Sequence, residues 1–233
     1  MSEVPVTLIT GGGSGIGAAT ARQLLSLGHR VTVTGRGRQR LEDFAASLGA
    51  PPELLTMPGD AADYEAVVAA VEATVQRFGR LSAVVACAGY TTFDDVATGD
   101  PAGWRDMVLT NVLGPALLIR ASLAALKETR GRIVLVGSVA GVVYSPGNVY
   151  GATKWAVTGL AENTRRLVTD DGVGVTLVNP GATVTNFFDA GGGLPDRAML
   201  SADQIANAIV FAINQPHGVD VNTMTIRPQP SPL

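Results

Sequence analysis

The sequence predicts an α/β fold: one domain over residues 1–233, a doubly wound parallel sheet of about seven strands with helices on both faces. Three observations carry this. Apolar runs of strand length alternate with longer segments of helical period along the whole chain. The strand-length runs are almost continuously apolar, the pattern of strands covered on both faces. No linker, shift of composition or short repeat divides the chain, and the low-complexity run Gly191-Gly192-Gly193 is brief.

The elements follow in order. Val4 to Thr10 is a short apolar run ending in glycines, the first strand. Ile16, Ala19, Leu24 and Leu27 then fall near helical spacing. Val31 to Thr34 is β-branched throughout and reads as a buried strand. Gln39 to Leu48 is helical, stopped by Gly49 and the Pro51-Pro52 pair. Leu54 to Met57 is the third strand, and Val67, Val71, Val75 and Phe78 mark one face of a helix from Asp63 to Phe78. Ala83 to Cys87 is a strand, followed by a loop rich in Asp, Thr and Gly that runs to Gly99. Trp104 to Leu126 is helical, with a bend or division expected at Gly114-Pro115. Ile133 to Val136 is a strand, and Tyr150 to Thr169 a long helix. Val175 to Val178 is a strand ended by Asn179-Pro180-Gly181. After a glycine-rich loop from Ala190 to Pro195, a helix from Ala202 to Ile213 and a strand from Thr223 to Ile226 complete the alternation.

Composition narrows the function. Apolar residues make up 46% and charged residues 16%, a globular balance that excludes a disordered chain. The net charge is -3 and no basic block is denser than Arg36-Gly37-Arg38-Gln39-Arg40, so nucleic acid is not an expected partner. A lone cysteine, Cys87, excludes an internal disulfide or a cysteine zinc cluster, and His29 with His217 are too few for a histidine metal site. Of 17 basic residues only Lys127 and Lys154 are lysines. Met1 to Pro5 shows no charged region leading into an apolar run, so no secretory signal is expected. The apolar stretches read as too interrupted to span a membrane, and a cytoplasmic protein is expected.

Two local patterns point to chemistry. Thr10-Gly11-Gly12-Gly13-Ser14-Gly15-Ile16-Gly17 lies between the first strand and the first helix. Glycines there allow a tight turn and let backbone N–H groups approach a pyrophosphate at a helix N-terminus. The bland alternative is a ligand-free turn; the strand–loop–helix setting favours the phosphate reading. No Gly-Lys-Ser/Thr follows, so it is not a P-loop. Near the end of the second strand, where a carboxylate would bind a ribose 2′-hydroxyl, stands Gly35, followed by Arg36. A guanidinium there pairs with a 2′-phosphate, which favours NADP(H) over NAD(H). Arg38 and Arg40 also read as a solvated helix start. The second pattern is Tyr150-Gly151-Ala152-Thr153-Lys154, which places a phenol and an ammonium on one helix face. The ammonium favours the phenolate, lowers its pKa toward neutrality and so makes a general acid/base. Ser138, just after a strand, offers a hydroxyl to a substrate oxygen. A serine-hydrolase elbow is excluded, because Val136 and Ala140 flank Ser138 where glycines would stand.

Taken together, the chain resembles the short-chain dehydrogenase/reductase family over essentially its full length. The resemblance rests on the glycine loop, Asp60, Ala88-Gly89, Asn111, Ser138, the Tyr150/Lys154 pair and Pro180-Gly181-x-x-x-Thr185. It implies a Rossmann-type domain with Asn111, Ser138, Tyr150 and Lys154 as the catalytic set. Tyr150 would be the acid/base, Lys154 would lower its pKa and hold the nicotinamide ribose, Ser138 would polarise the substrate carbonyl, and Asn111 would support a proton-relay water. The dinucleotide would meet Gly11, Gly13, Ser14, Gly15, Ile16 and Gly17 at its pyrophosphate and Arg36 at its 2′-phosphate. Asp60 with Ala61 would meet the adenine, Ala88 with Gly89 the adenosine ribose, and Pro180, Gly181, Thr183 and Thr185 the nicotinamide and diphosphate. No metal is needed.

The resemblance also implies hydride exchange between a nicotinamide and a small or medium carbonyl or alcohol substrate, in a homodimer or homotetramer. Alternatives of other kinds remain: a non-catalytic dinucleotide-binding regulatory protein of the same fold, or a reductase of C=N or C=C bonds. One departure is Cys87, where the family carries an asparagine that ties strands together; Cys87 reads as a buried core residue. The substrate pocket should lie beyond the C-terminal strand ends. Its expected walls are Tyr90, Val139, Ala140, Val142, Tyr144, Asn148 and Phe187, with the Phe187 to Leu200 segment as a covering loop.

Overall fold

A computed structural model describes residues 4–230. Seven parallel strands form the main sheet: β1 (Val6–Thr10), β2 (Arg30–Gly35), β3 (Leu54–Pro58), β4 (Ala83–Ala86), β5 (Arg132–Val136), β6 (Gly174–Pro180) and, after two short strands, β9 (Thr223–Ile226). Their order is β3-β2-β1-β4-β5-β6-β9. The two short strands, β7 (Thr183–Val184) and β8 (Leu200–Ser201), pair with each other in parallel. The helices are α1 (Gly15–Ser26), α2 (Arg38–Ser47), α3 (Tyr64–Phe78), α4 (Pro101–Val108), α5 (Gly114–Thr129), α6 (Val149–Val168) and α7 (Ala202–Ile213). The strand order reverses between β1 and β4, which leaves a crevice at their C-terminal ends.

Both faces of the sheet are covered, and successive strand residues point to opposite faces. Leu8, Val84 and Ile133 join Val67 and Val71 of α3, Leu118 and Leu126 of α5 and Val157 of α6 in one buried cluster. Their chain neighbours Ile9, Val85 and Val134 face the other way, with Leu24 of α1, Leu41 of α2 and Ile209 of α7. Burying each such side chain contributes about 1.5–3 kcal/mol. This symmetry holds the crevice between two packed layers.

Two elements differ from the expectation. The helix from Trp104 to Leu126 is longer and continuous, from Pro101 to Thr129. Gly114-Pro115 does not break it, because the turn just before, Leu109–Leu113, is a π-helix and Pro115 falls in the first turn of α5. Gly114 is needed for contact: a Cβ there would lie 3.2 Å from the Ala61 carbonyl oxygen. β6 runs on through Asn179-Pro180, since Pro180 pairs with Ile226 at the end of the strand. The continuous 101–129 helix also has the length and apolar composition of a membrane-spanning helix, contrary to the interruption read from the sequence. Within the fold its inner face, through Leu118, Ile119 and Leu126, packs in the cluster with β4 and α3.

Candidate active site

The glycine loop folds tightly over the end of β4. Gly11 and Gly15 take φ of +68° and +51°, the left-handed region that glycine enters freely. A Cβ on Gly11 would lie 2.9 Å from the Ala88 backbone, and one on Gly17 would collide with the Gly11 carbonyl oxygen. Ser14 precedes α1 without capping it through its side chain, and the first turn holds no acidic residue. Ile16 in that turn packs inward on the core. The N-terminal N–H groups of α1 and the positive end of its dipole are thus available to an anion.

A cleft of about 190 Å³ opens beside this loop. Gly11, Gly13 and Ser14 line one side, Arg36 and Arg40 another. Asp60 and Ala61 after β3, and Ala88, Gly89 and Tyr90 after β4, line the rest. Thr185 approaches the loop from β7, close enough that a Cβ on Gly15 would lie 3.1 Å from its methyl group. Thr183 Oγ1 donates to the Gly181 carbonyl at 2.9 Å, and the Gly181 amide donates to Ile226 at 2.7 Å, so Pro180-Gly181 is tied to β9. A glycine cradle with no room for side chains, a free helix N-terminus and two guanidinium groups fit a dinucleotide.

Next to the cleft, four side chains converge. Asn148 caps α6 by accepting the Gly151 N–H at 2.9 Å, which starts the helix where Tyr150 and Lys154 stand one turn apart. Lys154 is buried and its Nζ donates to the Val136 carbonyl at 2.9 Å. The same Nζ lies 5.7 Å from the centroid of the Tyr150 ring. Ser138 Oγ accepts the Ala140 N–H at 3.1 Å, so its own hydrogen is left for Tyr150. Asn111, in the π-helical turn, accepts the Tyr90 N–H at 3.0 Å and donates to the Tyr90 carbonyl at 2.8 Å and to Thr153 Oγ1 at 3.1 Å. Gly89 passes between Asn111 and Lys154: a Cβ there would lie 3.1 Å from Asn111 Oδ1 and 3.5 Å from Lys154 Nζ.

The electrostatics correct one expectation. Burial pushes the Tyr150 phenol up to about 12, and the Ser138 hydroxyl, which would donate to a phenolate, only partly opposes it. Lys154 does not lower it to neutrality in the chain alone. Burial instead brings Lys154 down to about 8. Cys87 is pushed up to about 11 by burial, so it stays a neutral thiol at neutral pH.

The model of the short chain dehydrogenase family matches residues 5–191. The chain belongs to the short-chain dehydrogenase family of oxidoreductases. An uncharacterized oxidoreductase of Staphylococcus epidermidis is 32% identical over 225 residues, 96% of each chain. The alcohol dehydrogenase of Thermococcus sibiricus, solved with 5-hydroxy-NADP, superposes with a TM-score of 0.88 at 29% identity and 97% coverage of both chains. The 3-ketoacyl-(acyl-carrier-protein) reductase of Brucella melitensis, solved with NADH, superposes with a TM-score of 0.87 at 24% identity and 97% coverage.

In this short-chain dehydrogenase the sequence-expected residues gather at one crevice, with three exceptions among the expected substrate walls. Tyr90 lines the cleft beside the glycine loop, where burial and then the nearby Asp106 carboxylate push its phenol up. Tyr144 is 90% exposed and stacks on Trp155 at 5.2 Å. Trp155 lies five residues after Tyr150, roughly 140° round the helix, so Tyr144 is off the Tyr150 face. Asn148 spends its side-chain oxygen on the helix cap. Val139, Ala140 and Val142 do follow Ser138 on a short 3-10 turn and its end, and Phe187 sets its ring edge-to-face on Tyr150 at 5.5 Å. The sequence reading assigned Arg40 to a solvated helix start and missed three further residues. Arg40 lines the cleft four residues beyond Arg36. Thr110 lines it from the π-helical turn, which has no sequence signal. Asn179 Oδ1 accepts the Ser138 N–H at 3.1 Å, and Phe93 packs on Phe187.

Proposed function

We propose that this short-chain dehydrogenase is an NADP(H)-dependent carbonyl reductase or alcohol dehydrogenase with Tyr150 as its acid/base. The observation that carries the reading is the buried Lys154 ammonium 5.7 Å from the Tyr150 ring, with the Ser138 hydroxyl acting to lower the Tyr150 phenol. The dinucleotide, when bound reduced, supplies the hydride for a carbonyl carbon. Tyr150 gives its proton to the carbonyl oxygen, and Ser138 orients that oxygen by a hydrogen bond. A phenol held up at about 12 is protonated at neutral pH, the form a reduction needs. Lys154 and Asn111, the side chains that flank Gly89, then return a proton to the phenolate.

The choice of dinucleotide rests on Arg36 and Arg40 in the cleft and on the absence of a carboxylate at Gly35. The fold alone supports either, given the NADH in the Brucella melitensis structure. Asp60 and Ala61 would receive the adenine, Ala88 and Gly89 the adenosine ribose, and Thr183 and Thr185 the nicotinamide side. The setting proposed with this activity is a cytoplasmic homodimer or homotetramer.

A steady-state screen of ketones and alcohols with NADPH and NADH tests the reading. Turnover that favours NADPH and disappears in Tyr150→Phe supports it. Equal activity of Tyr150→Phe, or no turnover of any carbonyl or alcohol with either dinucleotide, overturns it.

A further inference from the structure

Four aromatic rings meet where a substrate carbonyl would have to lie. Phe187 is the hub: its ring centroid is 5.5 Å from Tyr150, 5.7 Å from Phe93 and 5.4 Å from Phe188, at interplanar angles of 62°, 69° and 78°. Phe93 and Phe188 are 5.8 Å apart at 40°. These are the edge-to-face and tilted arrangements in which ring edges meet ring faces. Phe187 and Phe188 are only partly buried and Phe93 is exposed, so the cluster keeps an open apolar surface beside Tyr150.

The backbone at Phe93 explains why a ring stands there. Its φ is +57°, which a bulky residue adopts only under constraint. Among the described residues, the other non-glycine residues at positive φ, Ala50 and Arg130, follow the ends of α2 and α5, where such a turn is ordinary. Phe93 closes no helix. Its N–H donates to Thr91 Oγ1 at 3.2 Å. The Asp94 carboxylate accepts Trp104 Nε1 of α4 at 3.0 Å and the Thr92 hydroxyl. The Val96 N–H donates to the Gly147 carbonyl at 3.0 Å, which ties the loop to the approach of α6. A glycine would meet that backbone without strain, and the Phe93 ring instead packs on Phe187 and Phe188. On the other side Gly191 lets the 3-10 segment Asn186–Gly191 close in: a Cβ there would lie 2.9 Å from the Phe93 ring.

We infer that Phe93, Phe187 and Phe188 form an aromatic subsite beside Tyr150 that takes the aryl group of a neutral aromatic ketone or benzylic alcohol, with Phe93 as its specificity-determining residue. The inference rests on the carbonyl-reductase reading above. Ring faces and edges reward a flat aromatic group over a saturated one of equal size. The carboxylates beside the rings in the chain, Asp94 and Asp189, disfavour an acidic substrate, and Asp189 is held by Asn186 Nδ2 at 3.2 Å.

Acetophenone and cyclohexyl methyl ketone, alike in size, test this with wild type, Phe93→Gly and Phe188→Ala. Wild type is expected to favour acetophenone in kcat/KM by about tenfold, the worth of one or two good ring contacts. Both variants should remove most of that preference, chiefly through KM. Phe93→Gly relieves the backbone while it gives up two ring contacts, so its melting temperature should shift by no more than a few degrees, which separates recognition from folding. Saturation-transfer NMR of acetophenone on the same proteins reads binding without turnover. Equal kcat/KM for the two ketones in wild type, an unchanged preference in Phe93→Gly, or no saturation transfer to the ring protons overturns the subsite. Saturation transfer that is lost in Phe93→Gly, with no carbonyl or alcohol of the screen turned over, sinks the carbonyl-reductase reading and leaves the subsite standing.

Discussion

Lys154 Nζ is held by the Val136 carbonyl oxygen at 2.9 Å, inside the fold and at the end of β5. One neutral acceptor compensates a buried ammonium poorly, and burial brings the group down to about 8. The unfolded chain keeps that proton to the ordinary lysine value of 10.5. Between pH 8 and 10.5 the unfolded state therefore binds more protons, and this group makes stability rise with pH across that window. Lys154→Met should remove the penalty and raise stability at pH 7 by about 2 kcal/mol, after loss of one hydrogen bond, while abolishing turnover. Denaturant melts at pH 7 and 10 check it; a less stable Lys154→Met at pH 7 contradicts it.

Tyr150→Phe should lower kcat by about a hundredfold or more, because a positioned proton donor contributes about 10²–10⁴. The dinucleotide dissociation constant should stay within a few fold, since the phenol is not part of the glycine cradle. Stopped-flow turnover and fluorescence titration separate the two. A large loss of dinucleotide affinity with kcat preserved would reverse the assignment.

Arg36→Ala should weaken NADPH by about tenfold and leave NADH nearly unchanged, as removal of one charge-assisted contact to a phosphate does. Arg40→Ala should act in the same direction, because both guanidinium groups line one cleft. Titration of both dinucleotides against both variants decides. Equal weakening of NADH would show that the arginines serve the pyrophosphate.

Asn179→Leu should lower kcat, since the Asn179 side chain holds the Ser138 amide at 3.1 Å. Leaving that buried N–H unpaired costs about 1–3 kcal/mol, partly offset because Asn179 Nδ2 is itself buried without a partner. Thermal melts and kcat together read this; an unchanged kcat with a lowered melting temperature would make Asn179 purely structural.

Cys87 should resist iodoacetamide at pH 7 and react only as the pH nears 11, where its thiol ionises. Mass spectrometry after timed alkylation follows this. Rapid modification at pH 7 would mean a thiolate stabilised in the fold.

The sheet was legible because its signal is local. The Thr223–Ile226 strand and the Ala202–Ile213 helix stand where the apolar pattern places them. The glycine loop and the Tyr150/Lys154 spacing were legible for the same reason, since residues four apart on a helix share a face. The substrate side was not. Tyr144 left the expected wall because Trp155, on another face of α6, offers it a ring to stack on. Phe93 meets Phe187 because a loop 94 residues away in sequence folds back on it. Neither pairing leaves a period in the chain.

Asn111 sits in a turn that carries one residue more per hydrogen-bonded ring than the helices around it. The position of its amide is thus a matter of chain length as much as of residue type. Deleting Val112 would let Pro101 to Thr129 close into a regular α-helix, in which the flanking turns keep their faces and the wide turn that presents Asn111 is lost. Such a chain could keep each motif in its alignment and lose the register in which Asn111 meets Tyr90 and Thr153. In this helix a gap of one residue would be more damaging than many substitutions.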